Sequence, residues 1–114
     1  MSDEKSINDA VDYLYIHGRK YAEAKAHRVY LEQYRNSLKS ILMKKAQADK
    51  RATSAAAAEM EAYADNDYLE FLKGLEAATQ KEEELRWGLV SAQARIDVWR
   101  SEQANNRTMD KVTM

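Results

Sequence analysis

No cysteine and no proline occur among the 114 residues, and glycine appears only three times. Without cysteine there is no disulfide framework and no thiolate metal site. Without proline, and with so little glycine, the chain lacks the turn residues that a sandwich or barrel needs. No apolar run approaches the roughly 20 residues of a membrane span. The start, MSDEKSINDA, is polar and acidic and carries no signal-peptide core. HExxH, a glycine-rich phosphate loop and GxSxG are all missing. These absences lead us to expect a single soluble, cytoplasmic domain with no membrane segment, no catalytic residue, no cofactor and no metal.

What remains is dominated by strong helix formers: Ala, Leu, Glu, Lys, Gln, Arg and Met. Stepping back from Trp99 gives Ile96, Ala92, Leu89, Leu85, Glu82, Ala78, Leu75, Phe71, Tyr68 and Ala64. The steps alternate three and four, a heptad pattern in which only Glu82 is strongly polar. A second seam runs through Ala10, Leu14, His17, Tyr21 and Ala24, then through His27, Leu31, Tyr34, Leu38, Ile41, Lys45, Ala48 and Ala52. It slips by one residue between Ala24 and His27, which predicts a local change of twist and not a break.

Two seams in one chain predict an all-α, long antiparallel helical hairpin, coiled-coil-like and assembling into a helical-bundle oligomer. A turn over 52–54, with Thr53 or Ser54 capping the returning helix, joins a helix over 6–51 to one over 55–104. Residues 1–5 and 105–114 then read as a flexible N-terminus and a frayed polar tail. Opposed residues have numbers adding to about 109, given equal rise along both helices. Leu38 then faces Phe71, Tyr34 faces Leu75, Leu14 faces Ile96 and His27 faces Glu82, with Lys45 and Glu61 within a turn of each other. A rival turn lies in YADNDYLE, where Asp67 and Glu70 have capping-box spacing and Asn66 tolerates a left-handed backbone. A kink at Asp65–Asp67 inside a continuing helix fits either turn.

Charge is distributed in blocks. From Arg19 to Arg51 there are ten Lys/Arg and three Asp/Glu; from Glu59 to Glu84 there are nine Asp/Glu and two Lys. Folding near 53 lays the basic block against the acidic one. The alternative function uses the basic arm on nucleic acid. Lys20, Lys25, Arg28, Arg35, Lys39, Lys44, Lys45, Lys50 and Arg51 would neutralise phosphates, and the interleaved Tyr21, Tyr30 and Tyr34 would stack bases. An acidic arm alongside, and a pI near 6.1, count against it. Glu82, Glu83 and Glu84 read as a helix face and not as a metal cluster, because neither His17 nor His27 has a glutamate three residues before it.

Two helices bury one stripe each, and alanine-rich stripes bury little. Apolar residues outside the seams mark where a partner would bind. Trp87, Val90, Ala94 and Val98 form a second stripe, and Val11, Tyr13, Tyr15 and Ile16 make VDYLYI apolar almost all round. Gly18 and Gly88 sit at nearly the same height in this hairpin. The expected partner is a second copy, giving a dimer; another protein is the other reading. The expected function is a non-enzymatic structural or adaptor role, exercised by protein–protein binding.

The segment LRWGLVSAQARIDVWRSEQANNRTMD resembles the C-terminal part of small helical proteins of tailed bacteriophages, some encoded near recombination genes. The resemblance implies a phage accessory protein in the bacterial cytoplasm that modulates a host or recombination factor. It carries no assigned catalytic residue.

Overall fold

The structure, a computed structural model, describes residues 2–113. It is an all-α helical hairpin, without strands among the described residues: α1 is Ser2–Ala48, α2 Ala55–Ala64 and α3 Asn66–Thr113. One arm is α1; α2 and α3 form the other. By contacts the chain divides into two compact units, one of Met1–Glu23 with Glu83–Met114 and the other of Ala24–Glu82.

The helix ends differ from expectation. The first helix starts at Ser2 and not at 6, and α3 runs to Thr113, past the boundary of 104. In that last stretch Arg107 Nε donates to the Gln103 carbonyl at 3.4 Å, and Thr108 Oγ1 to the Ala104 carbonyl at 3.0 Å. Loss of the apolar heptad removes a packing partner; helical backbone bonding needs none, and the tail has no proline to break it.

The turn is a C-terminal cap built without glycine. The Arg51 amide donates to the Ala46 carbonyl at 2.9 Å and the Lys50 amide to the Gln47 carbonyl at 3.1 Å. This is the paired pattern of a Schellman motif, with Lys50 left-handed at φ 59° where glycine is usual. The first helix therefore ends at Ala48, three residues before the expected boundary at 51. Ser54 caps α2, its Oγ accepting from the Ala57 amide at 3.1 Å. The alanines Ala46, Ala52 and Ala58 close under the turn, packed by Met43 and Ala57.

The second punctuation signal, at Asp65–Asp67, is an interruption of one residue and not a reversal. Asp65 is extended (φ −66°, ψ 139°) and ends α2. Its Oδ1 accepts from the Asp67 amide at 2.8 Å, which caps α3. One residue thus serves two helix ends, its backbone N–H donating to the Ala62 carbonyl at 3.2 Å and its carboxylate capping α3, and Asp67, two residues later, is inside the helix. Ala64 is exposed, while Ala58 and Ala62 are buried in its place.

Within the unit Ala24–Glu82, burial shows no slip at Ala24–His27; two successive steps of four, Leu38 to Leu42 to Ala46, come just before the turn. After Ala24 the inward positions are Arg28, Leu31, Leu38 and Leu42, whereas His27, Tyr34 and Ile41 are exposed. The polar layer pairs Arg28, not His27, with Glu82. Arg28 Nε donates to Glu82 Oε2 at 2.6 Å and Nη2 to Oε1 at 3.1 Å, while Nη1 reaches Glu32 at 2.9 Å. Glu82 is only 5% exposed. The hydrogen bond to Glu82 is the main reason that the guanidinium is held even more firmly protonated than usual, despite the opposing cost of burial. An arginine reads as a surface residue, yet its apolar stem can cross the seam while the head reaches a carboxylate. Tyr34 meets Phe71, ring centroids 6.0 Å apart; Tyr68 and Tyr63 continue this aromatic row. Leu38 packs against the cluster of Leu42, Ala62 and Tyr68.

In the other unit the core is Ala10, Ala92 and Ile96, with Tyr13 and Leu14 against it, so Leu14 and Ile96 share one cluster. No helix among the described residues is long and apolar enough to cross a membrane.

Two pairs of substitutions check these features by urea denaturation. Lys50→Gly relieves the left-handed strain and stabilises by about 0.5–1 kcal/mol, whereas Ser54→Ala removes a cap and destabilises by about 1 kcal/mol. Arg28→Ala and Glu82→Ala each lower the midpoint. The apolar pair R28M/E82L recovers most of that loss, because neither charge is left buried alone.

Candidate protein-binding surface

Exposed apolar residues occur in both units, Tyr30, Ile41, Met60 and Leu69 among them in Ala24–Glu82; the Trp87 stripe and the VDYLYI stretch fall in the unit Met1–Glu23 with Glu83–Met114. On α3, Trp87 and Val98 are each 58% exposed, and Val90 is exposed with them. Steps of three, four and four at about 100° per residue hold Trp87, Val90, Ala94 and Val98 within one sector. That sector points away from Ala92 and Ile96, which are buried. On α1, Tyr15 is 87% exposed, and Val11 and Ile16 are about half exposed. The core cluster of the unit thus buries two alanines and one isoleucine, while a tryptophan, a tyrosine, an isoleucine and three valines remain exposed at these positions.

Tyr13 does not belong with the exposed group. It is half-buried, its ring stacked on His17 with centroids 3.9 Å apart, and His17 Nδ1 lies 3.2 Å from the Tyr13 carbonyl oxygen. Its hydroxyl end lies against Gly88: a Cβ built there would sit 2.9 Å from the Tyr13 ring carbon Cζ and closer still to the hydroxyl oxygen. Gly18 has nothing within 4 Å, so the two glycines do not form a matched close approach. The glycine at 88 makes room for a tyrosine and not for a helix backbone.

Arg95 Nη1 donates to Ser6 Oγ at 3.4 Å, which sets the same register as the Tyr13–Gly88 contact. An open groove of about 370 Å³ runs along Ser6, Ile7, Ala94, Arg95, Val98 and Trp99. Arg86 borders the α3 stripe. It is bound to Glu83 at 3.0 Å, and its guanidinium carbon is 4.7 Å from the centre of the Trp87 ring. The arrangement offers apolar area edged by charge, which suits a polypeptide surface.

The nine cations of the basic arm divide into two sets. Arg28 is committed to Glu82 and Glu32, Lys39 to Glu59, Lys45 to Asp65, and Arg51 to Asp49 and Glu61. The Lys39 ammonium is pushed above its ordinary pKa by its hydrogen bond with Tyr63 and then by Glu59. Lys45 and Glu61, expected as neighbours, each take a different partner. Lys20, Lys25, Arg35, Lys44 and Lys50 are exposed. Among the described residues no group of His, Asp and Glu side chains could hold a metal ion. Glu82, Glu83 and Glu84 do not act as one cluster, since Glu82 turns to Arg28 and Glu83 to Arg86.

The chain matches no family model, no characterised protein and no solved structure.

The glycines supply a local test. Gly74→Ala adds a methyl group to open space in a helix and stabilises by about 1 kcal/mol. Gly88→Ala meets Tyr13 and forfeits that gain; in a Tyr13→Ala background, which itself loses core packing, G88A/Y13A is more stable than Y13A. Thermal melting of these variants and the unaltered chain checks the order.

Proposed function

We propose that this protein is a non-enzymatic structural or adaptor module that works by protein–protein binding, with a second copy of itself as the first partner. The observation that carries this reading is the imbalance in the unit Met1–Glu23 with Glu83–Met114: its exposed large apolar residues exceed its buried ones. Exposed tryptophan and tyrosine beside valine and isoleucine form the kind of patch that association buries. The reading needs no catalytic group. The nucleic-acid alternative is weakened because four of its nine cations are already paired with carboxylates, which leaves fewer to displace counterions. The resemblance of residues 85–110 to phage helical proteins supports a setting in a bacterial cytoplasm, as an accessory to a host or recombination factor.

Light scattering across a concentration series tests the proposal. The unaltered chain is expected to have the mass of an oligomer, and W87A/V98D that of a monomer with helicity unchanged, since both side chains are exposed within the hairpin. An unaltered chain that stays monomeric at all concentrations removes self-association; equal oligomeric masses for both proteins remove this patch.

A further inference from the structure

The outer stripe of α3 is self-complementary. Trp87, Val90, Ala94 and Val98 are all exposed along one face of α3, so a second helix can lie along them. Arg86 and Asp97 border the stripe on the same flank, because their eleven-residue separation is close to three full turns. In an antiparallel pair related by a two-fold axis, like flanks meet. A register in which the numbers of facing residues add to about 183 sets Arg86 against Asp97 of the second copy, and Asp97 against its Arg86. The same register sets Trp87 over the partner copy's residues around Val98, and Val90 over those around Ala94. A single offset therefore satisfies the apolar stripe and both charges.

We propose that α3 pairs antiparallel with α3 of a second copy of this chain through this stripe, with two symmetric Arg86–Asp97 ion pairs setting the offset. This rests on the self-association proposed above and specifies its geometry. The side chains are already in place. Arg86 is held at the stripe's border by Glu83 and the Trp87 ring, and the Asp97 carboxylate, one oxygen accepting from Gln93 at 3.0 Å, is exposed. A parallel pair has no such solution, because unlike flanks then meet, and Arg86 and Asp97, which share one flank, would not face each other across the stripe.

Charge reversal and its complementation test the pairing. Arg86→Glu alone opposes two carboxylates, and Asp97→Arg alone opposes two guanidiniums. Each is expected to raise the self-association Kd about tenfold at low salt. An equimolar mixture of the two variants restores affinity, since every 86–97 contact in the mixed dimer is again between unlike charges. The double variant R86E/D97R restores it as well, and high salt narrows all the differences. Because the chain has no cysteine, Ala94→Cys and Glu102→Cys each carry one spin label per chain. Antiparallel pairing offsets twin labels along the axis by about 8 Å at 94 and about 30 Å at 102. If the chain oligomerises but neither reversal weakens it, or twin distances are equal at the two sites, the pairing is overturned and self-association stands. If the unaltered chain is monomeric throughout, both fall together.

Discussion

The bidentate contact between Arg28 and Glu82 sets the register of the unit Ala24–Glu82. A carboxylate 5% exposed is tolerable only with a cation placed to meet both its oxygens. Sliding either arm by one residue would turn one partner outward and leave the other charged in an apolar seam. Apolar contacts alone would not impose that constraint. Leu42, Ala62 and Tyr68 could repack around small offsets, because alanine and tyrosine accept several neighbours. The ion pair has one good geometry, and the seam of α1 follows from it.

The second constraint is area. A hairpin arm presents one stripe to its partner, and alanine occupies many of the buried positions. Alanine allows close approach and high helix propensity but buries little surface. The unit Ala24–Glu82 offsets this with a row of aromatic rings running from Tyr30 through Tyr34, Phe71 and Tyr68 to Tyr63. The other unit has no such row. Its tryptophan at 87 and its valines at 90 and 98 face away from its core. Under the proposed function, association buries that outward stripe.

The turn and the interruption at Asp65 show how few local devices the fold requires. Lys50 takes a strained conformation because the two carbonyls of the final turn need amide donors and the chain must reverse at once. Asp65 restarts a helix with one carboxylate and, at 3.9 Å, also lies within reach of Lys45. Both devices depend on backbone bonding over five or six residues, and neither needs glycine or proline.

Much of the fold is legible in the residues themselves. Helical content, a reversal near the midpoint, Ser54 as a cap, the seam from Tyr68 to Trp99 and a polar layer at Glu82 all follow from periodicity, propensity and capping chemistry, which are properties of neighbouring residues. The outward stripe at Trp87, Val90 and Val98 follows for the same reason, since a position that misses the seam faces away from it. What the pattern in the chain misplaced is which of two adjacent polar residues turns inward, since it sets His27 in the seam and the structure sets Arg28 there. His27 and Arg28 differ by one step, and only the presence of Glu82 across the seam, at a distance suited to a guanidinium, selects Arg28. The same holds for Tyr13, which a sequence pattern groups with Tyr15 but which the cleft above Gly88 draws inward. It holds again for Lys50, where no residue type signals a left-handed backbone and the closing of the hairpin imposes one. Local rules name the candidates, and contacts between residues distant in the chain choose among them, because the free energy of burying a charge or a ring depends on what lies opposite.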